Sequence, residues 1–286
     1  MPQTRPLALF FAIAFAYSWM VEVCMIFMHL RIEFTILATL GPTIGALVAQ
    51  RLTSGNWRAF RLNAGWPRTL AAAALGIALV IVSFDILPAA ATVDARNLNW
   101  SALFSFSVYN YSTLLGGPLF EEPGWRGFAL PRLEGRFAPL PAALILGTIW
   151  ASWHLPMFLY PGWTTTPIWL YFLMVAALSV MMSFAANLAR FGVIAPILIH
   201  AVFNTGGRYL NGLFRDAGPG SGGFLPLLAR RLHFSASISF SGLILIGGLT
   251  GAAAVALATR GRMGLQAIDP WPSETAPAQS STRRDL

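Results

Sequence analysis

Long apolar runs alternate with short polar stretches along the whole chain. Within each run the apolar positions are nearly continuous, which predicts helices rather than the alternating strands of a membrane barrel. Most runs have about the 20 residues that a helix needs to cross a bilayer. We therefore predict an all-α, polytopic transmembrane helix bundle. Its eight expected spans fall near residues 7–30, 34–50, 70–91, 101–120, 138–158, 167–189, 191–210 and 235–258.

The composition agrees with a membrane protein, because only 10% of the residues are charged and 56% are hydrophobic. A soluble domain carries about 25% charged residues. We predict one transmembrane domain over residues 1–258 and a disordered polar tail over 259–286, where proline, serine and threonine are frequent. The lone cysteine, Cys24, excludes an internal disulfide, and we expect it to pack in the core.

The charge pattern indicates how the chain lies in the membrane. The formal net charge is +8, and every basic residue is an arginine. The arginines lie mostly between the apolar runs, as topology signals and anionic-lipid contacts do, so we expect the bilayer and not nucleic acid as the partner. Eight spans would place thirteen arginines on the side of both termini and six on the other. We therefore predict a multi-pass protein of the cell (plasma) membrane with both termini cytoplasmic.

Two adjacent carboxylates, Glu121 and Glu122, follow the fourth apolar run. Arg126 comes four residues after Glu122, the spacing at which an acid and a base meet on a helix. Pro123 and Gly124 lie between them and predict that a helix starts or breaks there. An ion pair at a helix end would by itself explain Glu122 and Arg126.

Two histidines lie within later apolar runs. His154 precedes Pro156, and His200 shares a helical face with Asn204 four residues later. Buried polar groups need partners, so we expect these side chains and Glu121 to line one water-reachable cavity that opens to the cytoplasm. Other intramembrane acids, such as Glu22, are interpreted as structural partners of an arginine or as polar contacts between helices, with a transport path as the alternative.

Together the three stretches resemble the CAAX-protease and bacteriocin-processing family of intramembrane proteases, also known as the CAAX prenyl endopeptidase type. The family motifs are EExxxR, FxxxH and HxxxN, and order and spacing match over about residues 100–205. One departure is a tryptophan where the family usually has phenylalanine. The matching residues here are Glu121, Glu122 and Arg126, then Trp150 and His154, then His200 and Asn204.

The resemblance implies an intramembrane endopeptidase that cleaves a peptide or a membrane-anchored protein with an activated water. Glu121 would act as general base, His154 would hold the water, and His200 with Asn204 would stabilise the oxyanion. Glu122 and Arg126 would support the site.

The family is commonly described as metalloproteases, and a metal such as zinc would take His154, His200 and Glu121 as ligands. A metal-free water mechanism with the same residues stays open. Two other classes also stay open: a transporter or ion-binding protein that uses the Glu/His cluster as a relay, and a non-catalytic scaffold.

Overall fold

The computed structural model describes residues 4–88, 116–213 and 240–264. These residues form helices joined by short turns, and the only strand-like pairing among them is an isolated bridge between Arg61 and Gly192. The predicted all-α fold is confirmed. The α-helices are α1 Thr4–Phe27, α2 Thr35–Ala38, α3 Leu40–Ser54, α4 Trp66–Val80, α5 Pro118–Glu122, α6 Leu130–Glu134, α7 Pro139–Trp153, α8 Ile168–Leu188, α9 Ile194–Leu213 and α10 Phe240–Ala258.

Four helical segments are long and apolar enough to cross a membrane, namely Thr4–Phe27, Ile32–Ser54, Trp66–Ile86 and Ile168–Leu188. Three further apolar helical stretches are shorter than this. They are Pro139–Trp153, which is α7, Ile194–Thr205 within α9, and Gly242–Ala258 within α10. Seven of the eight predicted spans thus fall on helices. The predicted span 101–120 lies mostly outside the described residues, and so does most of the predicted tail.

Small residues let the first two spans approach closely. A β-carbon at Gly41 would lie 2.8 Å from the Ala14 carbonyl oxygen, and one at Gly45 would lie 2.9 Å from the Phe10 carbonyl oxygen. The Ser18 hydroxyl also donates a 2.7 Å hydrogen bond to the Ala38 carbonyl. Helices in lipid associate through such close backbone packing, because lipid is as apolar as their side chains.

The buried face of α1 also corrects the expectation for Cys24. Phe10, Ala14, Ser18 and Glu22 recur every four residues on that face and are buried. Cys24 lies off the stripe and is exposed rather than packed in the core. The sequence could not show on which face of α1 Cys24 lies, because both faces of this helix are apolar.

Helix α8 is the centre of the bundle. It packs against α7 on one side and against α10, α4 and α9 on others. Its middle is almost entirely buried, from Val175 to Ala186. The helices that carry the motif residues, α5, α7 and α9, are arranged around this core.

Candidate active site

The acidic motif lies on a continuous helical segment. Helix α5 begins at Pro118, a favourable first position because its missing N–H has no helical partner there. The backbone then widens into a π-helical turn, Pro123–Ala129, and returns to α-helix in α6. The α-helix thus ends at Glu122, directly before Pro123, as expected. The chain nevertheless continues as a helix, because the wider turn accommodates the proline, and such turns are frequent at functional sites.

Gly124 is needed where this turn passes the second span. A β-carbon there would lie 2.4 Å from the Pro42 carbonyl oxygen, so no larger residue fits without movement of the backbone. The close contact holds the acidic motif against α3, and the Thr43 hydroxyl donates a hydrogen bond to the Phe120 carbonyl nearby.

Glu122 binds both Arg126 and His200. Its Oε1 accepts a 3.2 Å hydrogen bond from Arg126 Nη1 and a 2.8 Å hydrogen bond from His200 Nδ1. Glu122 and Arg126 are fully buried, and His200 is 4% exposed. The pair predicted from the four-residue spacing is present. His200 as its second partner was not predicted, because α9 lies far away in sequence.

Glu121 has a different environment. Adjacent residues on a helix point about 100° apart, and Glu121 accordingly faces α7, where Trp150 Nε1 donates a 2.8 Å hydrogen bond to its Oε2. Glu121 is 4% exposed. Among the described residues, this bond from Trp150 is the one hydrogen bond that the carboxyl accepts, so Oε2 is held in place and no described residue donates to Oε1.

His154 lies where α7 ends and a 3₁₀ turn, Leu155–Leu159, begins. Its Nδ1 is 2.9 Å from the Trp150 carbonyl oxygen. A carbonyl only accepts, so Nδ1 carries the proton and Nε2 of the neutral ring is an acceptor. The imidazole packs against the rings of Trp153, Trp163 and Tyr171.

Asn204 lies beside Oε1 of Glu121. A β-carbon at Gly117 would lie 3.0 Å from Glu121 Oε1 and 3.6 Å from Asn204 Nδ2, so both side chains border the same glycine. Asn204 is exposed. The amide is thus near the carboxyl, as expected for residues that share a site.

Trp150 connects the motif residues to one another. Its indole contacts His200 and His154 at centroid distances of 5.1 and 6.0 Å, and the Arg126 guanidinium carbon lies 4.2 Å from its ring centroid. In the sequence Trp150 was only a departure from the usual phenylalanine, and its hydrogen bond to Glu121 was not predicted. The available signal was the change from phenylalanine to tryptophan, which adds an N–H donor.

The fit to a metal is poor in this arrangement. Among the described residues, no three His, Cys, Asp or Glu side chains converge closely enough to hold a metal ion. The Nδ1 atoms of His154 and His200 bond to a carbonyl and to Glu122. Such bonds leave Nε2 as the ligand atom, which is the usual arrangement of metal-binding histidines. The poor fit therefore rests on the spacing of the side chains alone, and the reaction proposed below uses no metal.

Comparison with known proteins agrees with the resemblance. Residues 96–206 match the family model described as type II CAAX prenyl endopeptidase Rce1-like. The chain is also similar to CAAX prenyl protease 2 from Methanococcus maripaludis, with 29% identity over 117 residues. That alignment covers 37% of this chain and 43% of the relative, so it spans less than half of either protein.

Proposed function

Because residues 96–206 are related to the Rce1-like CAAX prenyl endopeptidases, we propose that this integral membrane protein is an intramembrane endopeptidase. The observation that carries the proposal is that the two glutamates have different hydrogen-bond partners. Glu122 binds Arg126 and His200, whereas the described residues give Glu121 one hydrogen bond, from the Trp150 indole to Oε2. A carboxylate whose second oxygen can accept a proton from water is suited to act as a general base.

In the proposed reaction Glu121 Oε1 takes a proton from a water molecule, and the water oxygen attacks the peptide carbonyl carbon. The unprotonated Nε2 of His154 accepts the second hydrogen bond of that water and orients it. Asn204 Nδ2, beside Glu121, donates to the carbonyl oxygen as it becomes an oxyanion. The proton held by Glu121 then passes to the leaving nitrogen, the C–N bond breaks, and Glu121 is again a carboxylate.

His200 and Arg126 support this chemistry through Glu122. Arg126 and His200 both donate hydrogen bonds to Glu122. A buried carboxylate with such partners is compensated, so it keeps the backbone of the adjacent Glu121 fixed. Because His200 Nδ1 binds Glu122, we assign His200 this supporting role and assign the oxyanion to Asn204.

The substrate is proposed from the name of the relative, CAAX prenyl protease 2. A prenylated peptide that ends in a CAAX sequence is therefore the first probe, and a small peptide or membrane-anchored protein is the broader class. The aromatic side chains around His154 give this side of the site an apolar surface against which a lipid-modified or apolar segment can pack.

Comparative mass spectrometry of peptide termini tests the proposal without a known substrate. Membranes of cells with wild-type protein should contain new termini that are missing from cells with Glu121→Ala at equal protein abundance. Equal termini in both membranes, together with ion or solute flux that depends on Glu121, would favour the transporter instead.

A further inference from the structure

A third carboxyl outside the family motifs lies close to the site. Glu22 is on α1 and is 2% exposed. Its Oε2 is buried and has no hydrogen-bond partner among the described residues. Intramembrane carboxyls of this kind are costly and usually have a partner or a function. None of the described arginines forms an ion pair with Glu22.

Helix α1 is tied to the site one turn before Glu22. Trp19 Nε1 donates a 3.0 Å hydrogen bond to the Trp153 carbonyl, and the Trp153 ring packs on His154 at a centroid distance of 4.7 Å. Glu22 follows Trp19 by three residues, so the two side chains are neighbours on one face of α1. Glu22 therefore lies on the side of α1 that meets α7 beside His154.

Among the described residues, neither Glu22 nor Glu121 forms an ion pair. Glu22 Oε2 has no hydrogen-bond partner there, and the donor to Glu121 is the uncharged indole of Trp150. Arg126 and His200 both bind Glu122 instead. A carboxyl without a cation of its own is stabilised when a ligand supplies the positive charge.

We propose that Glu22 receives a positively charged group of the substrate, such as a lysine ammonium, next to the scissile bond. The inference rests on the proposed function, because the peptidase reaction defines where the substrate lies. It adds a preference in substrate charge that the motif residues do not provide.

Matched peptides test this preference. Full-length protein in lipid nanodiscs is given quenched, prenylated CAAX peptides in which lysine replaces each residue around the cleavage site in turn. Each lysine peptide is paired with its acetyl-lysine counterpart, which has similar length and no charge. At one position the wild type should show at least about a tenfold higher kcat/KM for lysine. Glu22→Gln should bring that ratio close to one.

The control is Glu33→Gln, which changes an exposed carboxyl paired with Arg31 and should keep the lysine preference. Glu22→Asp retains the charge and should keep part of the lysine preference. It replaces the glutamine variant if Glu22→Gln does not fold. A wild type without any lysine preference, or a preference that Glu22→Gln retains, would overturn the inference.

A binding measurement separates this inference from the peptidase proposal. Octylammonium should raise the melting temperature of the wild type more than octanol does, and Glu22→Gln should lose the difference. If no peptide is cleaved but the ammonium effect depends on Glu22, the peptidase proposal fails and the cation site stands. If octylammonium and octanol act equally on the wild type, the cation site fails.

Discussion

Trp150 Nε1 donates a 2.8 Å hydrogen bond to Glu121 Oε2, and this bond joins α7 to the acidic motif. The same tryptophan holds the His154 ring through its backbone carbonyl. Trp150 thereby fixes Glu121 through its indole and His154 through its backbone, the two residues between which a water would be activated. Phenylalanine, the usual family residue, would fill the space but could not make the bond.

Trp150→Phe should therefore lower activity with little loss of folded protein. A hydrogen bond to a charged group contributes about 1.5–3 kcal/mol, which corresponds to a decrease in kcat/KM of roughly tenfold to hundredfold. The measurements are the cleavage rates and the melting temperatures in detergent of the wild type and of Trp150→Phe. Trp150→Ala is the contrast, since it also leaves a cavity and should melt earlier. Unchanged cleavage by Trp150→Phe would show that the bond does not orient Glu121 for catalysis.

Glu122→Gln and Arg126→Ala should reduce stability as well as activity. Each change leaves a fully buried charge without its partner, and such losses cost about 3–5 kcal/mol. The measurement is thermal unfolding in detergent. Glu33→Gln is the control, because its exposed ion pair should contribute only about 0–1 kcal/mol. Normal melting of Glu122→Gln would contradict the structural role of that residue.

Glu134, outside the predicted spans, should make stability depend on pH. Burial raises its pKa from 4.5 to about 8, although Asn187 Nδ2 donates a 2.9 Å hydrogen bond to Oε1. The folded protein thus holds a proton that the unfolded chain releases near pH 4.5. The stabilisation is complete below pH 4.5 and is lost as the pH rises through 8. Glu134→Gln should flatten this dependence in melting curves, and an unchanged slope would contradict the assignment.

Chelation should leave cleavage unchanged, because the described His and Glu side chains do not form a three-ligand set. The measurement is the cleavage rate before and after exhaustive chelation, with elemental analysis of the purified protein. Activity that disappears and returns with zinc would instead support the ligand set His154, His200 and Glu121.

The orientation in the membrane remains a prediction from the arginine distribution. A reporter fused to the C-terminus should be active only on the cytoplasmic side. An externally active reporter would place both termini outside if the span number is even.

The sequence predicted local relationships better than distant ones. The pair Glu122 and Arg126 follows from a four-residue spacing on one helix, and the structure contains it. The bonds from Trp150 to Glu121 and from His200 to Glu122 join residues 29 and 78 positions apart. Such contacts depend on how helices rotate and pack, which hydropathy does not specify. The exposure of Cys24 and the burial of Glu22 depend on the same rotation.

The π-helical turn shows a second limit. Pro123 and Gly124 ordinarily favour a break in a helix, yet here the chain widens and continues. Packing of Gly124 against Pro42 and burial of the entire turn outweigh the local preference. Local propensity is weak compared with tertiary packing.

The central claim is that Glu121 activates the water that cleaves the peptide. Its most direct test is single-turnover cleavage of a prenylated CAAX peptide by reconstituted wild type and Glu121→Gln, with equal melting temperatures of the two proteins established first. We expect the wild type to cleave in ¹⁸O-labelled water and to place the label in the new carboxyl terminus, and Glu121→Gln to give no product. Cleavage by Glu121→Gln at a rate near that of the wild type would contradict the account.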